Sequence, residues 1–221
     1  MGALFILVLI SSIPAIAAFL WFRFARYPFS FLMFSIALLA GAASFFPALL
    51  LQNLIRTEIG FFGLSGKWGL FTEIFIQVAL TEELSRFLVL LILFAVISRS
   101  AAKPVIMANA AGFIAGFGFA ILESAVYGAS SPGIALLRAF TAAPIHGACG
   151  SRVGSSVLLL REHPVRGIFR FLSAVAVHGA YNFLLNIPGR FPPIAAIFIS
   201  VSVLVSAIQA IRTEMKAENK P

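Results

Sequence analysis

Two adjacent carboxylates, Glu82 and Glu83, lie in a stretch of sequence that is otherwise apolar enough to cross a membrane. An ionisable side chain at the centre of a bilayer costs about 2.5–3.5 kcal/mol on insertion scales. A protein keeps two of them there when they are buried among other helices, paired with other groups or used in a reaction. The pair is therefore the first candidate for a catalytic site.

Arg86 follows the two glutamates at distances of four and three residues, so in a helix its guanidinium can reach either carboxylate. One arginine does not pair fully with both. The carboxylate beside Arg86 stays charged, and the other is left without a cation in an apolar environment. Such a split supplies one base and one acid in a small volume. A purely structural ion pair between Glu82 and Arg86 is the alternative interpretation.

Three other apolar stretches also carry polar residues at depth. At about 1.5 Å of rise per residue, His146 and His178 fall near mid-membrane with the glutamate pair, and Glu123 falls nearer the outer end of its stretch. Separate helices thus place acids and imidazoles at one level, which predicts a shared site. Each histidine taken alone also fits a hydrogen bond between helices. Arg138 has no predicted partner.

The composition indicates a membrane protein and excludes one class of protease. Hydrophobic residues make up 61% of the 221 residues, against about 45–50% in soluble domains. The mean hydropathy is +1.03. The single cysteine, Cys149, excludes an internal disulfide. All acidic residues are glutamates, which excludes an intramembrane protease built on an aspartate pair.

The apolar stretches predict the fold class. A membrane-crossing helix needs about 20 predominantly apolar residues. We therefore predict an all-α polytopic bundle of about seven transmembrane helices in one domain over residues 1–221, with the catalytic core over about 68–187. Two GxxxG patterns, at 112–116 and 150–154, place the fourth and fifth helices inside the bundle. The predicted spans are 3–22, 29–52, 68–97, 105–128, 133–160, 167–187 and 191–211.

The net charge of +8 is explained by topology. The basic residues flank apolar stretches, and no basic block with interleaved aromatic residues indicates a nucleic acid partner. With the N-terminus outside, ten basic residues lie in cytoplasmic segments and three in outer segments, in agreement with the positive-inside rule. The lipid bilayer is thus the predicted surrounding of the chain, with the C-terminus in the cytoplasm.

The polar residues belong to four short blocks of sequence, which occur in the order 81–86, 116–127, 141–146 and 178–182. Together the blocks resemble the PrsW family of intramembrane proteases, which is similar to the CAAX prenyl-protease and bacteriocin-processing superfamily. Arg86 stands where the family usually has lysine, and Ser124 stands where asparagine is common. The resemblance implies a bacterial or archaeal cell membrane, and cleavage of transmembrane or membrane-anchored proteins such as anti-sigma factors.

The resemblance also implies roles for the site residues. Glu82 and Glu83 would be the catalytic pair, with His146 and His178 beside them. One of the two glutamates would activate water. His178 would stabilise the oxyanion together with Asn182, and His146 would orient a group or donate a proton.

Four residues support this site, and a metal is a candidate cofactor. Arg86 would keep the second carboxylate charged, and Glu123 would tune a histidine or bind a metal. The family has been described both as glutamic peptidases and as metallopeptidases, and His146, His178 and Glu123 suit zinc. The fixed charge of Arg86 opposes a nearby divalent ion and favours a site without a tightly bound metal. The supporting residues are Arg86, Glu123, Asn182 and Phe119.

Two other functions stay open from the residues. One is a non-catalytic membrane scaffold that recognises transmembrane helices. The family is similar to the seven-helix scaffold subunit of gamma-secretase, in which such a site persists without being the protease. The other is a proton-coupled transporter with a relay of glutamate and histidine, although no inverted repeat occurs in the sequence. Loss of cleavage on Glu82→Gln substitution would distinguish an enzyme from both.

The predicted orientation is tested with reporters fused to the two ends of the chain. A reporter at Pro221 should be active in the cytoplasm, and one at Met1 should be active outside, because the basic loops stay inside. A C-terminal reporter found outside would remove one span and with it the common depth of the site residues.

Overall fold

The computed structural model describes residues 2–59, 65–98 and 107–218, and no strand occurs in these ranges. Two π-helical segments occur, at Ile55–Ile59 and at Glu73–Leu80, and a 3-10 turn covers Gly128–Ser130. The α-helices are α1 (Gly2–Ser11), α2 (Ile13–Phe24), α3 (Phe31–Leu54), α4 (Gly66–Thr72), α5 (Thr81–Ser98), α6 (Ala108–Tyr127), α7 (Pro132–Glu162), α8 (Pro164–Asn186) and α9 (Phe191–Glu218).

Within the described residues these helices join into seven rods, because α1 runs into α2 and α4 continues through the second π segment into α5. Five of the rods are long and apolar enough to cross a membrane. The other two are 66–98, which carries Glu82, Glu83 and Arg86, and Pro132–Glu162, which carries Arg138 and His146. The prediction of an all-α polytopic membrane protein is confirmed, and the span count and orientation stay predictions.

Helix α6 is the centre of the bundle. Its side chains from Ala110 to Ile121 are all buried, and the helix packs against α3, α7 and the N-terminal helices. Alanine, glycine and phenylalanine dominate this segment, so small residues let neighbouring backbones approach while the rings fill the gaps.

The two GxxxG patterns pack directly against each other. A Cβ atom added to Gly112 would lie 2.1 Å from the carbonyl oxygen of Gly150, and one added to Gly116 would lie 2.0 Å from that of His146. Only glycine permits these approaches. The contact between α6 and α7 therefore sets the position of the backbone that carries His146.

The π segment Glu73–Leu80 ends immediately before the glutamate pair. π-Helical turns inside α-helices occur often at functional sites, because they rotate the residues that follow. The Thr81 hydroxyl donates to the carbonyl of Gln77 at 2.6 Å, and the Gln77 amide donates to the carbonyl of Gln52 at 3.3 Å. These bonds tie the start of α5 to the end of α3.

The opposite end of the bundle is closed by a carboxylate from α9. Glu214 accepts hydrogen bonds from the backbone N–H groups of Asn109 and Ala110 at 3.0 and 3.2 Å, and from the Tyr27 hydroxyl at 3.1 Å. It thereby caps the N-terminus of α6, where orphan N–H groups attract negative charge. This end, called the basic end below, gathers the α2–α3 turn, the start of α6, the α7–α8 turn and the end of α9.

The basic end coincides with the side predicted to be cytoplasmic. Seven of the ten basic residues assigned to that side are described in the structure. Three of the ten lie outside the described residues: Arg99, Lys103 and Lys220.

Substitution of a single interface glycine tests the packing between α6 and α7. Gly116→Ala should lower the thermal unfolding midpoint in detergent, because a methyl group would overlap the His146 carbonyl and overpacking costs about 1–3 kcal/mol. Gly133→Ala is the control, since its Cβ would meet only the Ser131 hydroxyl at 3.5 Å. Equal midpoints for the two variants would contradict the close approach of the helices.

Candidate active site

The Glu83 carboxylate is the centre of the polar cluster. It is fully buried and pairs with the guanidinium of Arg86, one helical turn along α5. Its Oε1 lies 2.8 Å from Nδ1 of His178 on α8. A charged carboxylate only accepts hydrogen bonds, so Nδ1 of His178 carries the proton and donates it. In the neutral imidazole the Nε2 atom of His178 then carries a free lone pair.

Glu82 points its second oxygen at this lone pair. Its Oε1 accepts a hydrogen bond from the side-chain amide of Gln52 on α3 at 3.0 Å. Its Oε2 is buried, has no hydrogen-bond partner among the described residues, and lies 3.7 Å from Nε2 of His178. With an ionised Glu82 and a neutral imidazole, two acceptor atoms face each other in an apolar environment. A buried acceptor without a donor is costly, so the arrangement calls for a cation or a donor between them.

His146 on α7 joins the two halves of the cluster. Its Nδ1 lies 3.4 Å from a nitrogen of Arg86, and its Nε2 lies 2.7 Å from Oε2 of Glu123 on α6. A guanidinium only donates, so Nδ1 accepts and Nε2 donates to Glu123. Glu123 also accepts from Arg138, whose guanidinium stacks on the ring of Tyr127 at 4.3 Å.

Aromatic contacts hold the cluster from one side. The guanidinium of Arg86 lies 4.7 Å from the centre of the Phe119 ring, and that ring lies 5.2 Å from the imidazole of His146. The two imidazoles meet edge to face at 4.9 Å. Phe119 therefore shields the Arg86 charge from lipid and limits the orientations open to His146.

The donor set fits a divalent metal ion. Glu82, His146 and His178 each offer a ligand atom, and these atoms all lie within 4.8 Å of one another in buried positions. One carboxylate and two imidazoles are usual zinc ligands. The hydrogen bond from His178 to Glu83 is the kind that orients a metal-binding histidine. The contact of His146 with Arg86 is the one that a metal would replace.

The candidate metal ligands differ from the predicted set in one residue. The sequence suggested Glu123, but in the structure this carboxylate is engaged by His146 and Arg138, and Glu82 completes the group with the histidines. Glu83 offsets the charge of Arg86, which weakens the electrostatic argument against a divalent ion.

The structure brings together most of the residues singled out from the sequence. Glu82 and Glu83 begin α5, and Glu123, His146 and His178 come from α6, α7 and α8. Asn182 lies one turn beyond His178 and is half-buried, and within the described part of the chain no hydrogen bond joins its side chain to the cluster. Its predicted part in oxyanion stabilisation stays a prediction.

Two residues of the site lacked a predicted role. Arg138 pairs with Glu123 across the short turn between α6 and α7, and the signal was available, since an arginine at membrane depth needs an acid on a neighbouring helix. Gln52 reaches Glu82 from 30 positions away. The sequence indicated Gln52 only as a polar side chain at the end of an apolar stretch.

A cavity of about 140 Å³ leads to Glu82 between α3, α5 and α6. Glu82 and Glu123 reach it, with 5% and 10% of their side chains exposed, whereas Glu83 and Arg86 are completely enclosed. The cavity is therefore one approach to the cluster. Its walls include Phe45, Leu49, Gln52, Phe119, Val126 and Tyr127.

Comparison with known proteins gives one match. No curated protein and no solved structure matches the chain. A family model described as PrsW family intramembrane metalloprotease matches residues 27–209. The match covers most of the chain, contains every residue of the cluster and confirms the resemblance noted from the sequence. The chain thus belongs to the PrsW family of intramembrane metalloproteases, and it is an integral, multi-pass membrane protein.

Proposed function

We propose that the chain is a metal-dependent intramembrane endopeptidase in which Glu82 is the acid–base residue. The observation that carries the proposal is the buried oxygen Oε2 of Glu82, which has no hydrogen-bond partner among the described residues and lies 3.7 Å from Nε2 of His178. A buried polar atom without a partner lowers stability, because it has lost its hydrogen bond to water, and its retention supports a role in the reaction.

His146 and His178 would hold the metal, with the Glu82 carboxylate beside it in the same buried group. A zinc ion there would supply Lewis-acid polarisation of the scissile carbonyl. The remaining chemistry belongs to the side chains. Glu82 accepts a proton from the attacking water at Oε2, and passes it to the amine nitrogen as the peptide bond breaks. Gln52 holds Oε1, so that Oε2 keeps its direction.

The residues around this centre act by positioning. Glu83 fixes the tautomer of His178 and neutralises Arg86. Glu123, itself held by Arg138, fixes His146 from the other side. Each histidine is therefore oriented by its own carboxylate, the arrangement that raises the affinity and precision of metal-binding imidazoles.

The substrate we propose is a transmembrane or membrane-anchored protein such as an anti-sigma factor. The family assignment and the depth of the cluster support this class. The scissile segment would reach Glu82 through the cavity between α3 and α6, where Phe45 and Leu49 offer apolar contacts.

Substitution of Glu82 tests the proposed chemistry. Glu82→Gln keeps the size of the side chain and removes the proton acceptor, so turnover of an anti-sigma factor reconstituted with the protein in liposomes should fall by at least about 10²-fold. Glu73→Gln is the matched control, because Glu73 lies on the same rod and is exposed. Full activity of Glu82→Gln, with an unchanged unfolding midpoint, would contradict the role of Glu82.

Gln52 is predicted to affect turnover by positioning Glu82. Gln52→Leu should lower kcat by about tenfold and leave KM nearly unchanged, because the carboxylate loses its fixed direction while the cavity keeps its shape. Gln209→Leu, an exposed position on α9, serves as the control. A change confined to KM would assign Gln52 to substrate binding instead.

A further inference from the structure

A second polar cavity lies at the basic end, away from the catalytic cluster. It has a volume of about 500 Å³ and is walled by the start of α6, the end of α7, the start of α8 and the end of α9. Arg166 and Arg170 enter it from α8, and Leu158 and Leu159 form an apolar wall on α7. No step of the proposed peptidase chemistry uses these residues.

Among the residues that the structure describes, the arginines of this cavity have no acidic partner. Arg166 and Arg170 are four residues apart on one helix, where like charges repel. Arg170 donates from Nε to the Ser155 hydroxyl at 3.1 Å. The positive charge of Arg152 on α7 repels the Arg170 guanidinium. Among the described residues, none of these three arginines has a carboxylate oxygen within 4.0 Å.

Glu214 lies in the same cavity but is already engaged. Its Oε1 accepts from the backbone and the side-chain amide of Asn109, and its Oε2 accepts from Ala110 and Tyr27. Four neutral donors thus occupy the carboxylate on the α6 side of the cavity. Within the described part of the chain, no carboxylate pairs with the positive charge on the α8 side.

The surroundings of the cavity suit a lipid. Val165 and Phe169, next to the two arginines on α8, are 64% and 69% exposed. An apolar surface therefore continues from the arginines towards the bilayer, at the end of the bundle where the anionic cytoplasmic leaflet is predicted. Guanidinium groups bind phosphate oxygens through paired hydrogen bonds.

We propose that this cavity binds the phosphate headgroup of an anionic phospholipid. Arg166 and Arg170 contact the phosphate oxygens, and an acyl chain lies along Val165 and Phe169. The lipid completes the charge balance at the α7–α8 turn and fixes the start of α8, the helix that carries His178. This inference does not depend on the chain being a peptidase.

The test is a titration of the full-length protein in detergent with short-chain phosphatidylglycerol, followed by the thermal unfolding midpoint. A ligand that binds the folded state raises the midpoint. Wild-type protein should show a saturable rise, and Arg166→Gln with Arg170→Gln should weaken the apparent affinity by at least about tenfold. The matched control is Arg161→Gln with Arg212→Gln, which removes the same charge from exposed positions at the same end.

Three outcomes would overturn the proposal. An equal loss of affinity in the control pair would indicate surface charge alone. An equal rise with phosphatidylcholine would remove the requirement for an anionic lipid, and an equal rise with inorganic phosphate would assign the cavity to free phosphate. If the glutamine pair does not fold, Arg166→Lys with Arg170→Lys replaces it, and native mass spectrometry should still count phosphatidylglycerol retained by the wild type and lost from the lysine pair.

Discussion

The buried carboxylate of Glu83 is the interaction on which the site depends. It accepts from Arg86 on its own helix and from His178 on α8, and all three side chains are almost completely enclosed. Removing one member of a buried ion pair leaves an uncompensated charge and costs about 3–5 kcal/mol. The arrangement is thus maintained against its desolvation cost, and it fixes which nitrogen of His178 faces Glu82.

The backbone around this centre is built for close approach. Glycines on α6 allow α7 to come near enough for His146 to reach both Arg86 and Glu123. The π segment before α5 sets the direction of the glutamate pair, and Gln52 connects that pair to α3. The helices with few polar groups surround this core, where their apolar side chains meet lipid. The inner helices thus carry the polar residues of the site, and the outer apolar helices enclose them.

The sequence predicted the parts of the fold that depend on local composition. Apolar length identified the helices, GxxxG spacing placed α6 and α7 inside the bundle, and common depth grouped the acids and imidazoles. The partner of Arg86 was not predictable, since Arg86 lies three and four residues from the two glutamates and can reach either one. The structure pairs it with Glu83, which leaves Glu82 to complete the candidate metal group.

Contacts between residues far apart in the sequence could not be predicted either, because they depend on how each helix is rotated. Whether Gln52 faces Glu82 or lipid depends on the rotation of α3, which apolar composition leaves undetermined. Arg138 is different, because the requirement for a partner at membrane depth and the short turn after α6 together indicate Glu123.

The most direct measurement of the central claim is the metal content of protein purified without added metal. A site formed by Glu82, His146 and His178 should hold about one zinc ion per chain, and His178→Gln should lose most of it. His163→Gln is the control, since this histidine is exposed at the α7–α8 turn, and its zinc content should equal that of the wild type. Active protein that contains no stoichiometric metal, or equal zinc in the His178 variant, would contradict the account.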